Sequence, residues 1–378
     1  MMNEQAVNQR AAVVVAVAIS FIAMAAFLVL PVFVGAVASD MGLPARQVGF
    51  LASTVMAGSA LSSVLAIFWI RRVDWVKAGS VALGLLLAAH AASMWVDDFL
   101  LFMICQCLAG MGGGAAYSLA LTALSDNEHP DRCFGFSIAA QVSFQVVGLL
   151  AFPTIVENYG LDGVLVIFAG LALLGLLLLR WFPRTGAQTS HVAIGAALFR
   201  PRVLAALAGC FFFFFNVGAV WTYVERMAAA AQFEPGFIGM SLAASVTLGI
   251  PGALLAAWCG DRFGRLGPLA IGAGGTVVAL LFLQAGMSKL DYLLGMALYN
   301  FFWNFSLAFQ YAAVNAVDDS GRSVAAAPAF HGAGGAVGPG VTALFVTSQS
   351  FQAVNILAGV AVIASLVMFA LSARHRAA

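Results

Sequence analysis

The chain has 378 residues, of which 62% are hydrophobic and 9% charged, against roughly 25% charged in an ordinary soluble domain. With 17 Lys and Arg, 16 Asp and Glu and a mean hydropathy of +0.99, it lacks the polar surface of a water-soluble globule and has the composition of a polytopic membrane protein. A net charge of +1 provides no basic field for nucleic acid, so the expected partners are a small-molecule solute and the lipid bilayer.

A charge near the bilayer centre costs about 2.5 to 3.5 kcal/mol even on insertion scales, so charge-free windows of about 20 residues mark the predicted spans. In chain order they run 11–39, 47–70, 78–96, 99–124, 133–156, 163–179, 203–224, 235–260, 266–288 and 292–317, followed by 323–373. The last window is too long for one helix. The turn-forming run Thr347, Ser348, Gln349, Ser350 divides it, which makes twelve spans joined by short connections.

If the N-terminus is cytoplasmic, all seventeen Lys and Arg except Arg46, Arg226 and Lys289 fall on the cytoplasmic side, while the acidic residues divide about evenly. Both termini are therefore expected in the cytoplasm, in a multi-pass protein of the cytoplasmic (inner) membrane. Ala36, Val37 and Ala38 resemble a signal-peptidase site, but the apolar run before them exceeds a secretory h-region of about 7 to 15 residues and fits a retained first span. The five cysteines suggest neither a disulfide framework nor a metal site, and no cofactor is expected.

The chain resembles itself at an offset of about 186 to 193 residues. Gln47-Val48-Gly49-Phe50 lines up with Phe237-Ile238-Gly239-Met240 at the starts of spans 2 and 8. Gly148 with Phe152-Pro153 in span 5 matches Gly334 with Gly338-Pro339 in span 11, and Met103 and Tyr117 in span 4 match Met296 and Gln310 in span 10. The order is the same in both halves, as in secondary transporters built from two six-helix bundles. The expected organisation is all-α, with one bundle over 1–183, a short cytoplasmic linker over 184–202 and a second bundle over 203–378.

Between spans 8 and 9, Gly260-Asp261-Arg262-Phe263-Gly264-Arg265 resembles the D-R-x-G-R signature of the major facilitator superfamily, and the chain is similar to its twelve-helix bacterial efflux and permease-like members. The signature departs at Ala257 and Leu266, and the equivalent junction in the first half, Ile70-Arg71-Arg72-Val73-Asp74-Trp75, has Arg71 roughly where Asp would stand. An Asp at a helix end accepts hydrogen bonds from a neighbouring helix N-terminus, and Arg binds carboxylates or helix-end carbonyls. The resemblance thus implies that Asp261, Arg262, Gly264 and Arg265 form an inside gate. Gln106 to Gly112 is similar to the family's R-x-x-x-G-x-G motif with Gln106 replacing Arg, and Gly148 to Pro153 resembles part of an antiporter motif, which favours export.

The family fold implies that spans 1, 4, 7 and 10 line a central cavity. Span 1 offers Ser20 and no acidic residue. Span 4 carries Gln106, Gly110, Gly113 and Tyr117 in one stripe, and span 10 carries Asn300, Asn304, Tyr311 and Asn315 in one arc flanked by Trp303 and Gln310. Span 7 runs from Phe211 through Phe215 to Asn216, Trp221, Tyr223, Glu225 and Arg226. The expected solute contacts are Gln106, Tyr117, Asn216, Trp221, Tyr223, Asn300, Trp303, Asn304 and Gln310, with Gln141 and Gln145 of span 5. Glu225 and His331 are the candidates for coupling to protons, and His90 is expected to be peripheral.

The expected function is alternating-access transport of a small neutral or amphipathic solute by a monomer, as proton-coupled export, with an uptake permease, an uncoupled facilitator or a solute sensor as alternatives. An enzyme would need convergent titratable groups, which the intramembrane Glu225, His331 and His90 do not provide.

Overall fold

The computed structural model describes residues 7–186, 200–260, 262–317, 322–347 and 350–374, and among these the regular structure is helical. The helices are α1 Arg10–Leu28, α2 Leu30–Asp40, α3 Ala45–Trp69, α4 Trp75–Ser93, α5 Phe99–Ser125, α6 Pro130–Leu178, α7 Pro201–Ala230, α8 Pro235–Cys259, α9 Leu266–Phe282, α10 Lys289–Asn315, α11 Arg322–Ala343 and α12 Gln352–Arg374. Eight segments are long and apolar enough to cross a bilayer.

Local chemistry sets the boundaries. Asp74 caps α4 by accepting from the backbone N–H groups of Val76 and Lys77, Asp98 caps α5 through Leu101, and Ser288 with Asp291 forms a reciprocal capping box on α10. Pro130, Pro201 and Pro235 open α6, α7 and α8, where the missing N–H has no intrahelical partner to lose. Thr347 and Ser350 pair across the connection between α11 and α12, at the predicted division of the last window.

One predicted span differs from the sequence expectation. The first, expected to be continuous over 11–39, breaks at Val29, because Pro31 has no N–H for the carbonyl four residues before it. The Val32 N–H then bonds Val29 O, and the orphaned Leu28 carbonyl accepts from Gln145 Nε2 at 3.0 Å. Spans 5 and 6 are the two parts of α6, which divide at Gly160 inside the predicted gap, where a φ of 63° is open to glycine.

The chain divides into two compact units, Met1–Gly42 with Thr54–Val192, and Leu43–Ser53 with Ala193–Ala378. In the first, α1 packs on α5 and α6, and α4 packs on α5 and α6. In the second, α7 packs on α10, α11 and α12, and α9 packs on α10 and α12. The second list repeats the first with each span advanced by six, which is the internal repeat expressed as packing. The first unit's core runs through Ile19, Leu83, Leu119 and Leu179, and the second's through Leu207, Phe305, Phe309 and Phe369. Val81, Leu254 and Leu281 are exposed, as lipid-facing side chains of spanning helices are.

Glycines permit the closest crossings, since apolar lipid supplies little drive for helices to associate and close backbone packing must substitute. A Cβ on Gly110 or Gly114 of α5 would meet the Val55 or Ser59 carbonyl of α3, and one on Gly252 of α8 would meet the Phe301 carbonyl of α10. On α11, Gly334 and Gly338 press on the Phe211 and Phe215 carbonyls of α7.

Substitution of Gly252 by Ala puts a methyl group against backbone that no rotamer change relieves, and it should destabilise the second unit by about 1 to 3 kcal/mol. Gly84→Ala, where a Cβ meets nothing within 4 Å, should leave the melting temperature unchanged or raise it slightly. Thermal unfolding of the two purified variants followed by tryptophan fluorescence compares them.

Candidate functional site

In the second unit, α7, α10 and α11 bring an aromatic and amide cluster together. The His331 ring stacks on Phe214 with centroids 4.1 Å apart, and Phe214 meets Trp303 edge-on at 6.3 Å. Trp303 also contacts Trp221 at 6.2 Å and Tyr299 at 6.4 Å, both edge-on. His331 is held from both sides, with Nε2 3.3 Å from Gln310 Oε1 and Nδ1 3.4 Å from the Tyr311 hydroxyl. A neutral imidazole has one donor and one acceptor, so Nε2–H donating to Gln310 and Tyr311 donating to Nδ1 satisfy it. Rotation of the Tyr311 hydroxyl would let the same two oxygens accept both protons of an imidazolium.

The cluster leaves polar capacity unused. Among the described residues Asn216 Oδ1 and Gln310 Nε2 are buried with no hydrogen bond of ordinary geometry, and Asn216 lies close enough to the Tyr299 hydroxyl to interact with it. Leaving such groups unpaired costs about 1 to 3 kcal/mol each, a strain that a polar ligand would relieve.

Other expected contacts are engaged elsewhere. Asn300 donates to Ser245 Oγ of α8 at 3.0 Å and to the Met296 carbonyl, and Asn304 donates to the Asn300 carbonyl. Tyr223 is buried with its hydroxyl against Gly49, whose added Cβ would also meet the Pro339 carbonyl, while Ser53 donates to the Ala336 carbonyl. The first turns of α3 thus rest on α7 and α11. Glu225 is chelated by the adjacent Arg226, Nε to Oε2 at 2.6 Å and Nη2 to Oε1 at 2.9 Å.

In the first unit, the buried Ser20 and Ser137 and the half-buried Gln141 form a polar line, Ser20 Oγ to Ser137 Oγ at 2.7 Å and Gln141 Nε2 to Ser137 Oγ at 3.0 Å, with Tyr117 beside Gln141. Gln106 is fully buried and donates to Ser93 Oγ at 2.9 Å, which ties α5 to α4. Gln145 closes the break in the first span, and His90 packs on Phe168.

The loop between α8 and α9 turns on Gly260 and Gly264, with φ of 51° and 64°, and Arg262 lies over the Trp258 ring. Asp261 lies outside the described residues. In the first half, the residue standing in the signature's acidic position has its own partner. Arg71 binds Asp126 at the end of α5 bidentately, at 2.6 and 2.8 Å, with the carboxylate fully buried. Phe182 to Gly186 straps this pair. Trp75 N donates to the Arg184 carbonyl, and Gly186 approaches Asp126, Arg71 and the Trp75 ring so closely that a Cβ would not fit. The one available sequence signal was Asp126 standing just beyond the charge-free window of span 4; the pairing and the Phe214–His331 stack join residues too distant in sequence to be matched.

The family model of the Major Facilitator Superfamily matches residues 15–327. No curated protein matches the chain in sequence. Among solved structures, the nucleoside transporter NupG superposes with a TM-score of 0.76 at 11% identity, over 98% of this chain and 99% of that one. A D-xylose-proton symporter reaches 0.72 at 17% identity over 95% of each chain. A bacterial homolog to the human lysosomal transporter Spinster, in its inward-facing and occupied conformation, reaches 0.72 at 13% identity over 96% of each.

Replacing Asp126 by Asn should leave Arg71 without its charge partner and destabilise the first unit by on the order of 2 kcal/mol, below the full value for a buried pair because Arg71 is partly solvated. Arg71→Gln combined with Asp126→Asn should recover part of that loss. A double-mutant cycle on melting temperature measures both.

Proposed function

The chain belongs to the major facilitator superfamily, and we propose that it carries a small neutral or amphipathic organic solute across a cytoplasmic membrane by alternating access, as export driven by a proton gradient. The observation that carries this reading is the buried cluster of Asn216, Trp221, Tyr299 and Gln310 around His331, with Trp303 half-buried beside it and polar atoms to spare. Flat rings and spare amide groups suit a solute with an apolar face and a few hydroxyl or carbonyl groups. Paired cationic side chains, as a phosphorylated or polyanionic solute would require, are absent from the named cluster.

Asn216, Trp221, Trp303 and Gln310 make the solute contacts in the second unit, and Tyr117 and Gln141 make them in the first. Asn300, Asn304, Gln106 and Gln145 hold the helices that carry these contacts. Gly49 and Ser53 against Ala336, Tyr223 and Pro339 form one gate, and the loop of Arg262, Gly264 and Arg265 forms the other. By the bias of Lys and Arg the latter is the cytoplasmic one. Gly148 packs on Val29 where the first span breaks, and Pro153 follows within α6, an arrangement that supports export.

His331 is the coupling group, because its two partners accommodate the imidazole and the imidazolium alike, whereas Glu225 has its charge met by Arg226. The fold shared with a D-xylose-proton symporter is compatible with a proton as the coupling ion. The neutral Gln106 in place of Arg favours a second reading, an uncoupled facilitator.

Proteoliposomes with an imposed pH gradient separate the two. Wild type should concentrate its solute, His331→Gln should equilibrate it without concentrating it, and Glu225→Gln should retain more than half of the gradient-driven accumulation. Equilibration alone by the wild type would establish the facilitator, and undiminished accumulation by His331→Gln would remove that residue from coupling.

A further inference from the structure

At one end of the second unit, α7 and α9 begin while α10 and α12 finish, and a cleft of about 100 Å³ opens between these termini. Its walls are Leu266, Leu269, Val317 and Phe369, and its polar groups include Arg202 and Arg265. Arg202 Nε donates to the Ser372 carbonyl at 3.4 Å, which holds the side chain along the wall, and Arg265 is exposed at the mouth. Among the described residues no acidic side chain pairs with either arginine. Neither α7 nor α9 has a capping side chain or an acidic residue in its first turn, so two uncapped helix N-termini adjoin two guanidinium groups. Positive charge, unpaired backbone donors and an apolar flank meet in one place.

We propose that this cleft binds the phosphate of an anionic phospholipid, with the glycerol and upper acyl carbons against the more exposed Leu266 and Val317. Arginine forks match a phosphate bidentately. Basic pockets between spanning helices on the side rich in Lys and Arg are where anionic headgroups bind. The cleft is far smaller than the roughly 300 to 1,000 Å³ of sites for drug-sized ligands. Binding here does not rest on the transport reading; the assignment to the cytoplasmic leaflet does rest on the orientation proposed above. A bound lipid would join α7, α9 and α12 and hold Arg265 at the end of the gate loop.

Free phosphate shares the chemistry, and the experiment distinguishes the two. Full-length protein in detergent is titrated with phosphatidylglycerol or phosphatidylcholine and examined by native mass spectrometry, with and without 10-fold excess inorganic phosphate. Wild type should hold phosphatidylglycerol in preference to phosphatidylcholine whether or not phosphate is present. Arg202→Gln with Arg265→Gln should bind it about 30-fold more weakly, at about one kcal/mol for each charge lost. Ala316→Leu, which narrows the cleft and keeps both charges, should weaken it as well and serves if the double variant does not fold. Equal retention of the two lipids, unchanged phosphatidylglycerol binding in the variants, or its displacement by inorganic phosphate would each overturn the proposal.

Discussion

Hydrocarbon offers no hydrogen bonds, so every polar group that this chain carries into the bilayer must find its partner within the chain. The described structure is accordingly helical almost throughout, and where a helix is interrupted a side chain takes over the missing bond. Gln145 takes the Leu28 carbonyl at the break before Pro31. Asn355 of α12 takes the Leu283 carbonyl just past α9, and Ser365 reaches the Gly209 carbonyl of α7. Polar residues that look like candidates for a pathway are therefore often sutures between helices, as Gln106 with Ser93 and Asn300 with Ser245 demonstrate.

The same constraint gives meaning to groups left unpaired. Around His331, α7, α10 and α11 bring aromatic rings and amides together, and among the described residues Gln310 Nε2 and Asn216 Oδ1 have no hydrogen bond of ordinary geometry, as is also true of Gln106 Oε1 and Asn355 Oδ1. A cluster serving stability alone would gain from apolar replacements, because a partly satisfied polar network is worse than an apolar core. An occupant that completes it for part of a cycle is the reading proposed above.

Charge is handled in two ways. Arg71 and Asp126 neutralise each other within the first unit, beneath the strap of Phe182 to Gly186, and Glu225 and Arg226 do so at the end of α7. Arg202 and Arg265 instead meet at the rim among helix N-termini, with no described carboxylate beside them. Paired charge fixes the helices to one another.

Hydropathy and charge are properties of short windows, and they sufficed for the membrane class, the twelve spans, the division of the last window at Thr347–Ser350 and, through the D-R-x-G-R stretch, the family. Helical spacing also placed Trp303 and Gln310 at the flank of the polar arc of α10. It did not tell Asn300 and Asn304, which bind helix neighbours, from Gln310, which meets His331, since all of them lie near one face and only the packing of α8 or α11 against that face distinguishes them. The capture of the Leu28 carbonyl by Gln145, the Arg71–Asp126 pair and the shared cleft of Arg202 and Arg265 likewise depend on contacts between segments 55 to more than 100 residues apart. Local pattern determines which segments enter the membrane, because that choice is made against lipid; partners within it are decided by tertiary packing, because each polar group takes whichever complement the fold brings within about 3 Å.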